Sequence, residues 1–400
     1  MDESGTIEQQ TGFALDFYKV VAGKNENAID AGNSLLSPIS ITTAVAMAGA
    51  GAKGKTLEEI RAVLKLPEGE AMHQFTSQLK SAILKDGADV GGPSLHFANG
   101  LWVEKTLTLK PSFQELVKGK YGAEASLANF GNKAEEERTN INKWVSDATK
   151  GKIENLLPPS SLNDKTAMVL ANALYFKGTW KKPFKPEETK DHDFHLLDGK
   201  TVSVPYMTSK NKQVVRNFNT HKVLKLPYVQ SSQGAGADNR SFSMFFILPN
   251  EKDGIAQLEK DLDTEMLTKH LNWTSREVKV GEFRLPKFKF SAGFKASEAL
   301  QALGLKAPFS QGADFSNMVE GPNAELLYLS EVFHKCFIEV NEEGTEAAAA
   351  TGAVMMLRSL PMPETPIDFV ADHPFLFVLR EDKTGLILFF GRITNPSLSQ

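Results

Sequence analysis

The 400-residue chain contains one cysteine, Cys336, so no intrachain disulfide can form, and an unpaired thiol suits a reducing compartment. It lacks any apolar run of the ~18 residues that a membrane-spanning helix requires, so no membrane partner is expected. Its first residues, Met1–Gln10, are polar and acidic, without the basic start and apolar centre of a secretory signal. These features favour a cytoplasmic location, with an extracellular one as the alternative. An excess of one charge is lacking too: 45 Lys and Arg face 49 Asp and Glu, well mixed, for a formal net charge of -4. A nucleic-acid footprint needs clustered Lys and Arg on a basic domain, so no nucleic-acid partner is expected. No Pro/Gly/Ser-rich linker divides the chain. Residues 1–400 therefore read as a single domain, expected to be monomeric, and the 41% hydrophobic content is ample for one large core.

Recognisable catalytic patterns are also missing. There is no G-x-S-x-G elbow and no H-E-x-x-H pair. His192 and His195 sit three apart, but no third or fourth ligand accompanies them, so neither a metal nor a cofactor is expected. Cys336 lies in the apolar run Val332–Val340 and reads as a buried, unreactive thiol. His334, two residues away on the same strand face, reads as a core hydrogen-bonding group. One motif is matched in full: Gly49–Thr56, GAGAKGKT, fits the phosphate-cradling G-x-x-x-x-G-K-[ST] loop of nucleotide hydrolases. Such a loop follows a buried strand, whereas the residues after Ser37-Pro38 are Ala-rich and favour a helix. The plainer reading is a junction between two helices, the second capped by Thr56 with Glu59 completing a capping box.

The elements that are present divide by region. Phe13–Ala22 places Phe13, Phe17 and Val20 on one face at helical spacing. Ser37-Pro38 suits the start of a helix continuing through Ile41–Ala50, and Thr56–Leu64 and Ile141–Thr149 are further helices. Beyond them the pattern turns to strands: Ala167–Phe176, Val223–Leu226, Phe242–Leu248, Val278–Leu285, Lys287–Phe290, Glu331–Val340 and Phe375–Leu379. The last pairs with Leu386–Phe390 through a turn at Lys383–Gly385. The class is α+β, with helices around large, mostly antiparallel sheets.

The segment Glu342–Arg358, EEGTEAAAATGAVMMLR, follows a strong strand and has neither helical nor strand periodicity. Its alanines favour a helix, but Gly344, Gly352, Thr345, Thr351 and Val354 dilute that propensity. Alternate residues Thr345, Ala347, Ala349, Thr351 and Ala353 are all small and uncharged. A segment with one such face could enter an existing sheet at little steric or desolvation cost. It ends in Met355-Met356-Leu357-Arg358, followed by Ser359 and a return containing Pro361, Pro363 and Pro366.

With these residues in view the chain resembles a serpin along nearly its whole length. Asn33–Ser40 with the following helix is similar to the N-terminal signature of that family. Asn172–Trp180, NALYFKGTW, is similar to its central motif, and Leu285–Phe290, His334–Ala350 and Asp372–Pro396 to its C-terminal pattern. The absent leader, the lone cysteine and the Leu-Arg pair resemble plant serpins. The resemblance implies about nine helices around three sheets, with an exposed reactive-centre loop over roughly residues 342–366 and a metastable native state. It implies a protease inhibitor rather than an enzyme, cleaved at Arg358–Ser359 and trapping the acyl-enzyme as the cut loop joins the large sheet; serpin loop insertion is a standing example of strand addition. Gly344, Thr345, Glu346, Ala347, Ala348, Ala349 and Ala350 match the mobile hinge of inhibitory members. Ser37, Ser40, Asn172 and His334 match the polar cluster behind the sheet opening. Trp180, Lys287 and Glu342 match the loop's insertion point. Arg358 suits the acidic primary pocket of trypsin-like serine proteases, and metacaspases also cleave after basic residues. Leu357 suits the apolar second pocket of papain-like cysteine proteases. The alternatives are a non-inhibitory serpin acting as carrier or chaperone and, more remotely, the nucleotide hydrolase.

Overall fold

A computed structural model describes residues 3–23, 32–230, 240–273, 276–344 and 365–398. The hinge from Thr345 to Ala350 and the residues Leu357, Arg358 and Ser359 lie outside this range. Among the described residues there are nine α-helices, three large sheets and a two-stranded ribbon joining Thr108–Leu109 to Val319–Glu320.

The long apolar run expected as a strand is Met168–Lys177, the middle of a five-stranded sheet. Nine of its ten residues are buried because the sheet is covered on both faces, which is why it reads as continuous rather than alternating apolar. On one face Ile141 and Val145 of the helix Phe130–Ala148 pack over Val169, Ala171 and Ala173, and Trp144 meets Trp102 edge-on at 5.1 Å. On the other face lies the helix Pro38–Ala50, almost wholly buried. Ser37 enters it in extended conformation and Pro38 occupies the first turn, where a missing N–H costs nothing. This helix separates the five-stranded sheet from a six-stranded one that includes Phe242–Pro249, Phe375–Glu381 and Ile387–Ile393. The last two form the expected hairpin. A four-stranded sheet, from Ile367–Val370 to Lys190–His195, closes one end.

The five-stranded sheet departs from the antiparallel expectation. Two of its pairings are antiparallel and two parallel, and Glu331–Val340 runs parallel to Met168–Lys177 in the middle, with His334 opposite Asn172. Two of its strands, Ser94–Glu104 and Glu124–Ala128, fall in the part of the sequence that read as helical. Ser94–Glu104 carries His96, Asn99 and Gly100, which break both alternation and apolar continuity.

The capping-box expectation is also corrected. The second helix of that pair is Gly54–Leu64, its cap is Lys53, and Thr56 lies inside it. The Thr56 hydroxyl accepts the Asp314 N–H at 2.9 Å, and Glu59 accepts the N–H groups of Lys306 and Ala307 at 2.8 and 2.6 Å. Both side chains tie the helix to a distant loop instead of to their own first turn. Because Gly49–Thr56 is preceded by a helix, the strand a phosphate loop requires is not there. His192 and His195 lie on the strand Lys190–His195, and no group of three or more metal-ligating side chains occurs among the described residues.

Candidate functional site

The centre of the five-stranded sheet holds a buried polar cluster. His334 comes from Glu331–Val340, Asn172 from the strand beside it, and Ser37 and Ser40 from the start of the buried helix. All four residues are fully buried. The Ser37 N–H donates to His334 Nε2 at 3.1 Å. A backbone N–H can only donate, so Nε2 is bare and Nδ1 carries the proton, directed at Asn172 Oδ1 2.9 Å away. Ser40 Oγ donates to the same oxygen at 2.6 Å. Ser37 lies beside His334, but its contribution is the backbone amide; its hydroxyl has no hydrogen-bond partner among the described residues.

Burial holds the His334 pKa down, to about 3 from an ordinary 6.5. A second proton would sit on Nε2, facing the Ser37 N–H. The folded pKa lies below the unfolded one, so the unfolded chain binds the extra proton between these values. The stability tied to neutral His334 is complete above pH 6.5 and drains as the pH falls towards 3. One pKa unit is worth about 1.4 kcal/mol, so His334 should contribute a loss of about 2 kcal/mol between pH 7 and pH 5. His221 and His270, whose pKa values burial lowers to about 4, add losses of the same sign. In His334→Gln the pH slope of unfolding free energy across this interval should shrink by about one proton. An unchanged slope would place the acid sensitivity elsewhere.

At the end of the strand Glu331–Val340 the chain prepares to leave the sheet. Phe288 pairs with Val340, which brings Lys287 beside the residues just beyond the strand. Lys287 Nζ lies 2.8 and 3.0 Å from the two Glu342 carboxylate oxygens, and Thr189 Oγ1 donates to one of them at 2.7 Å. Burial pushes the Glu342 carboxyl up, but the hydrogen bonds from Lys287 and Thr189 outweigh it and hold it below the ordinary carboxylate value. Trp180, fully buried and stacked on Tyr228 at 4.3 Å, clamps the same turn. Its indole N–H donates to the Asn341 carbonyl at 2.9 Å and its backbone N–H to the Glu343 carbonyl at 2.8 Å. The Phe184 N–H donates to the Glu342 carbonyl at 2.7 Å.

Gly344 ends this turn, paired with Thr179. Its φ is +116°, and a Cβ here would lie 2.3 Å from the Gly178 carbonyl oxygen and 2.7 Å from the Trp180 nitrogen. Only glycine meets both demands. The expected insertion-point residues Trp180, Lys287 and Glu342 are thus together, with Gly344 of the hinge beside them. Thr189 and Tyr228 belong to the same knot and were not foreseen, since each reaches it through tertiary packing rather than a local pattern; Asn341, next to Glu342, adds its backbone carbonyl. Cys336 is buried on the inner face of the strand, where burial pushes its thiol pKa far up and leaves it unreactive.

Comparison with known proteins agrees with this geometry. Residues 8–396 match the family model described as "Serpin (serine protease inhibitor)". The chain is 46% identical to Serpin-ZXA of Oryza sativa subsp. japonica over 98% of each chain. It is 44% identical to Serpin-ZX of Arabidopsis thaliana, covering 99% of this chain and 100% of that one. Among solved structures it is similar to an Arabidopsis serpin in its native stressed conformation, at a TM-score of 0.91 and 43% identity over 99% of both chains. The chain belongs to the serpin family, a family described as serine protease inhibitors and not as enzymes.

Proposed function

We propose that this chain is an irreversible suicide inhibitor that offers Arg358–Ser359 to a protease and traps the acyl-enzyme by inserting the cleaved loop into the five-stranded sheet. The observation that carries the reading is the parallel pair Glu331–Val340 and Met168–Lys177, side by side in mid-sheet, with Gly344 leaving the end of the first. A chain turning back beyond Gly344 and entering between these strands would run antiparallel to both. Each would exchange a parallel neighbour for an antiparallel one, the slightly more stable pairing, and the sheet would gain a strand. The alternating small residues from Thr345 to Ala353 suit an inward face between sheet and helix, and the buried cluster at Ser37, Ser40, Asn172 and His334 spans the seam that must part.

In this mechanism the nucleophile of the protease attacks the Arg358 carbonyl carbon and the Ser359 amine leaves. Insertion of the hinge, Gly344–Ala350, then carries the ester- or thioester-linked protease away before water can release it. Arg358 directs the chain to trypsin-like serine proteases and metacaspases, and Leu357 extends this to papain-like cysteine proteases. The chain acts as a monomer in the cytoplasm, where a single buried thiol needs no oxidant.

Incubation with trypsin should give a denaturant-resistant complex on gels. A chain nicked in the loop by a non-target protease should then unfold at a markedly higher temperature than the intact one. Cleavage without a complex and without that rise would overturn the reading and leave a carrier.

A further inference from the structure

The structure brings together cations that are far apart in the sequence. The Gln213 and Val278 backbones exchange two hydrogen bonds, at 3.0 and 2.8 Å, which join segments 210–213 and 276–279. Lys182 Nζ reaches both, donating to the Lys212 carbonyl at 3.4 Å and pairing with Glu277 at 2.6 Å. Segments 181–182, 210–213 and 276–279 together carry Lys181, Lys182, Lys210, Lys212, Arg276 and Lys279 against one acid, Glu277. All six cations are exposed.

The position of this patch gives it meaning. The described residues before the reactive segment end at Gly344, paired with Thr179, two residues before Lys181. Just beyond that segment, the Ile367 N–H donates to the Lys279 carbonyl at 3.1 Å. The patch therefore flanks both ends of the loop. Of the acids at those ends, Glu342 is held by Lys287 and Thr189, and Asp368 accepts the Glu282 N–H at 2.7 Å. A body seated on the loop comes within reach of these lysines, and a screening length of about 8 Å at physiological salt lets them act across the gap.

We propose that this patch is a docking surface for an acidic face of the captured protease, one that selects among enzymes sharing the same primary specificity. It rests on the inhibitor reading. Charge of this kind acts on the encounter rate, which it can raise by roughly 10- to 1,000-fold, and the effect falls with ionic strength.

The test compares association rates of the full chain and of Lys210→Glu/Lys212→Glu with an anionic and a cationic trypsin, from low salt to about 0.5 M. With anionic trypsin the variant should be slower on the order of tenfold at low salt and converge on the wild type at high salt. With the cationic enzyme it should be no slower, and the inhibition stoichiometry should stay the same for both. Lys279→Glu should move the rates in the same direction. Rates indifferent to charge reversal, or an equal fall with both trypsins at every salt concentration, would overturn the docking surface while leaving the inhibitor intact. Failure to form a covalent complex with either trypsin would remove the inhibitor reading itself. Acceleration by dextran sulfate that the variant abolishes, with unaided rates unaltered, would assign the patch to a polyanion and overturn the protease assignment.

Discussion

Arg358→Ala should slow capture of trypsin by roughly 30- to 5,000-fold, the equivalent of the ~2–5 kcal/mol lost when one partner of a buried, hydrogen-bonded charge pair is truncated. The primary pocket of a trypsin-like enzyme holds an acid that is left uncompensated when alanine enters. The loss should appear in the second-order rate constant, and the surviving complexes should be no less durable, because insertion depends on residues nearer Gly344. A papain-like protease, which reads Leu357 in its second pocket, should lose far less with Arg358→Ala and more with Leu357→Gly. Trypsin captured by Arg358→Ala at the wild-type rate would move the attacked bond elsewhere. Cleavage after Met356 or Leu357 would then be the first place to look, on a loop one or two residues shorter.

The sequence carried the local parts of this architecture further than the non-local ones. Glu331–Val340 was legible to the residue because an apolar run ends there at a polar turn. Ser37-Pro38 was legible because proline is tolerated only in a first turn. Thr56 and Glu59 had the spacing of a capping box, yet the Asp314, Lys306 and Ala307 amides compete for the same oxygens and win. Ser94–Glu104 was missed because a strand buried on both faces needs no alternation, and its Asn99 and Gly100 imitate a turn. The pairing of Lys287 with Glu342 could be named from family resemblance, but the reason they meet is the register of Phe288 against Val340. Thr189 and Tyr228 join that knot from other strands and loops, and no window of sequence contains them together. The same holds for the cationic patch: its three segments are unremarkable singly, and mixed charge along the chain hides their convergence.

Ala349→Arg should convert the inhibitor into a substrate. In the alternation Thr345, Ala347, Ala349, Thr351 and Ala353, position 349 is the middle of the small-residue row that the proposed insertion would turn inward. On insertion its side chain would enter the space between the five-stranded sheet and the buried helix Pro38–Ala50, where Val45 and Met47 are fully buried. An unpaired guanidinium there has no carboxylate to meet, and leaving a charge uncompensated in such a setting costs about 3–5 kcal/mol or forces the strand to stop short. Insertion then lags behind hydrolysis of the acyl-enzyme. Cleavage at Arg358–Ser359 should proceed at the wild-type rate, while the number of inhibitor molecules consumed per trapped trypsin rises at least tenfold. The nicked variant should also lose much of the thermal stabilisation of the nicked wild type. Ala348→Arg, one residue away on the opposite face, is the control: the neighbouring strand's residues Lys335, Phe337 and Glu339 are partly exposed there, so its charge can reach water and stoichiometry should remain near the wild-type value. If both substitutions act alike, bulk or helix propensity in the hinge would be responsible rather than burial of one face. If Ala349→Arg leaves stoichiometry and stabilisation unchanged, the row that enters the sheet is not the one the alternation marks.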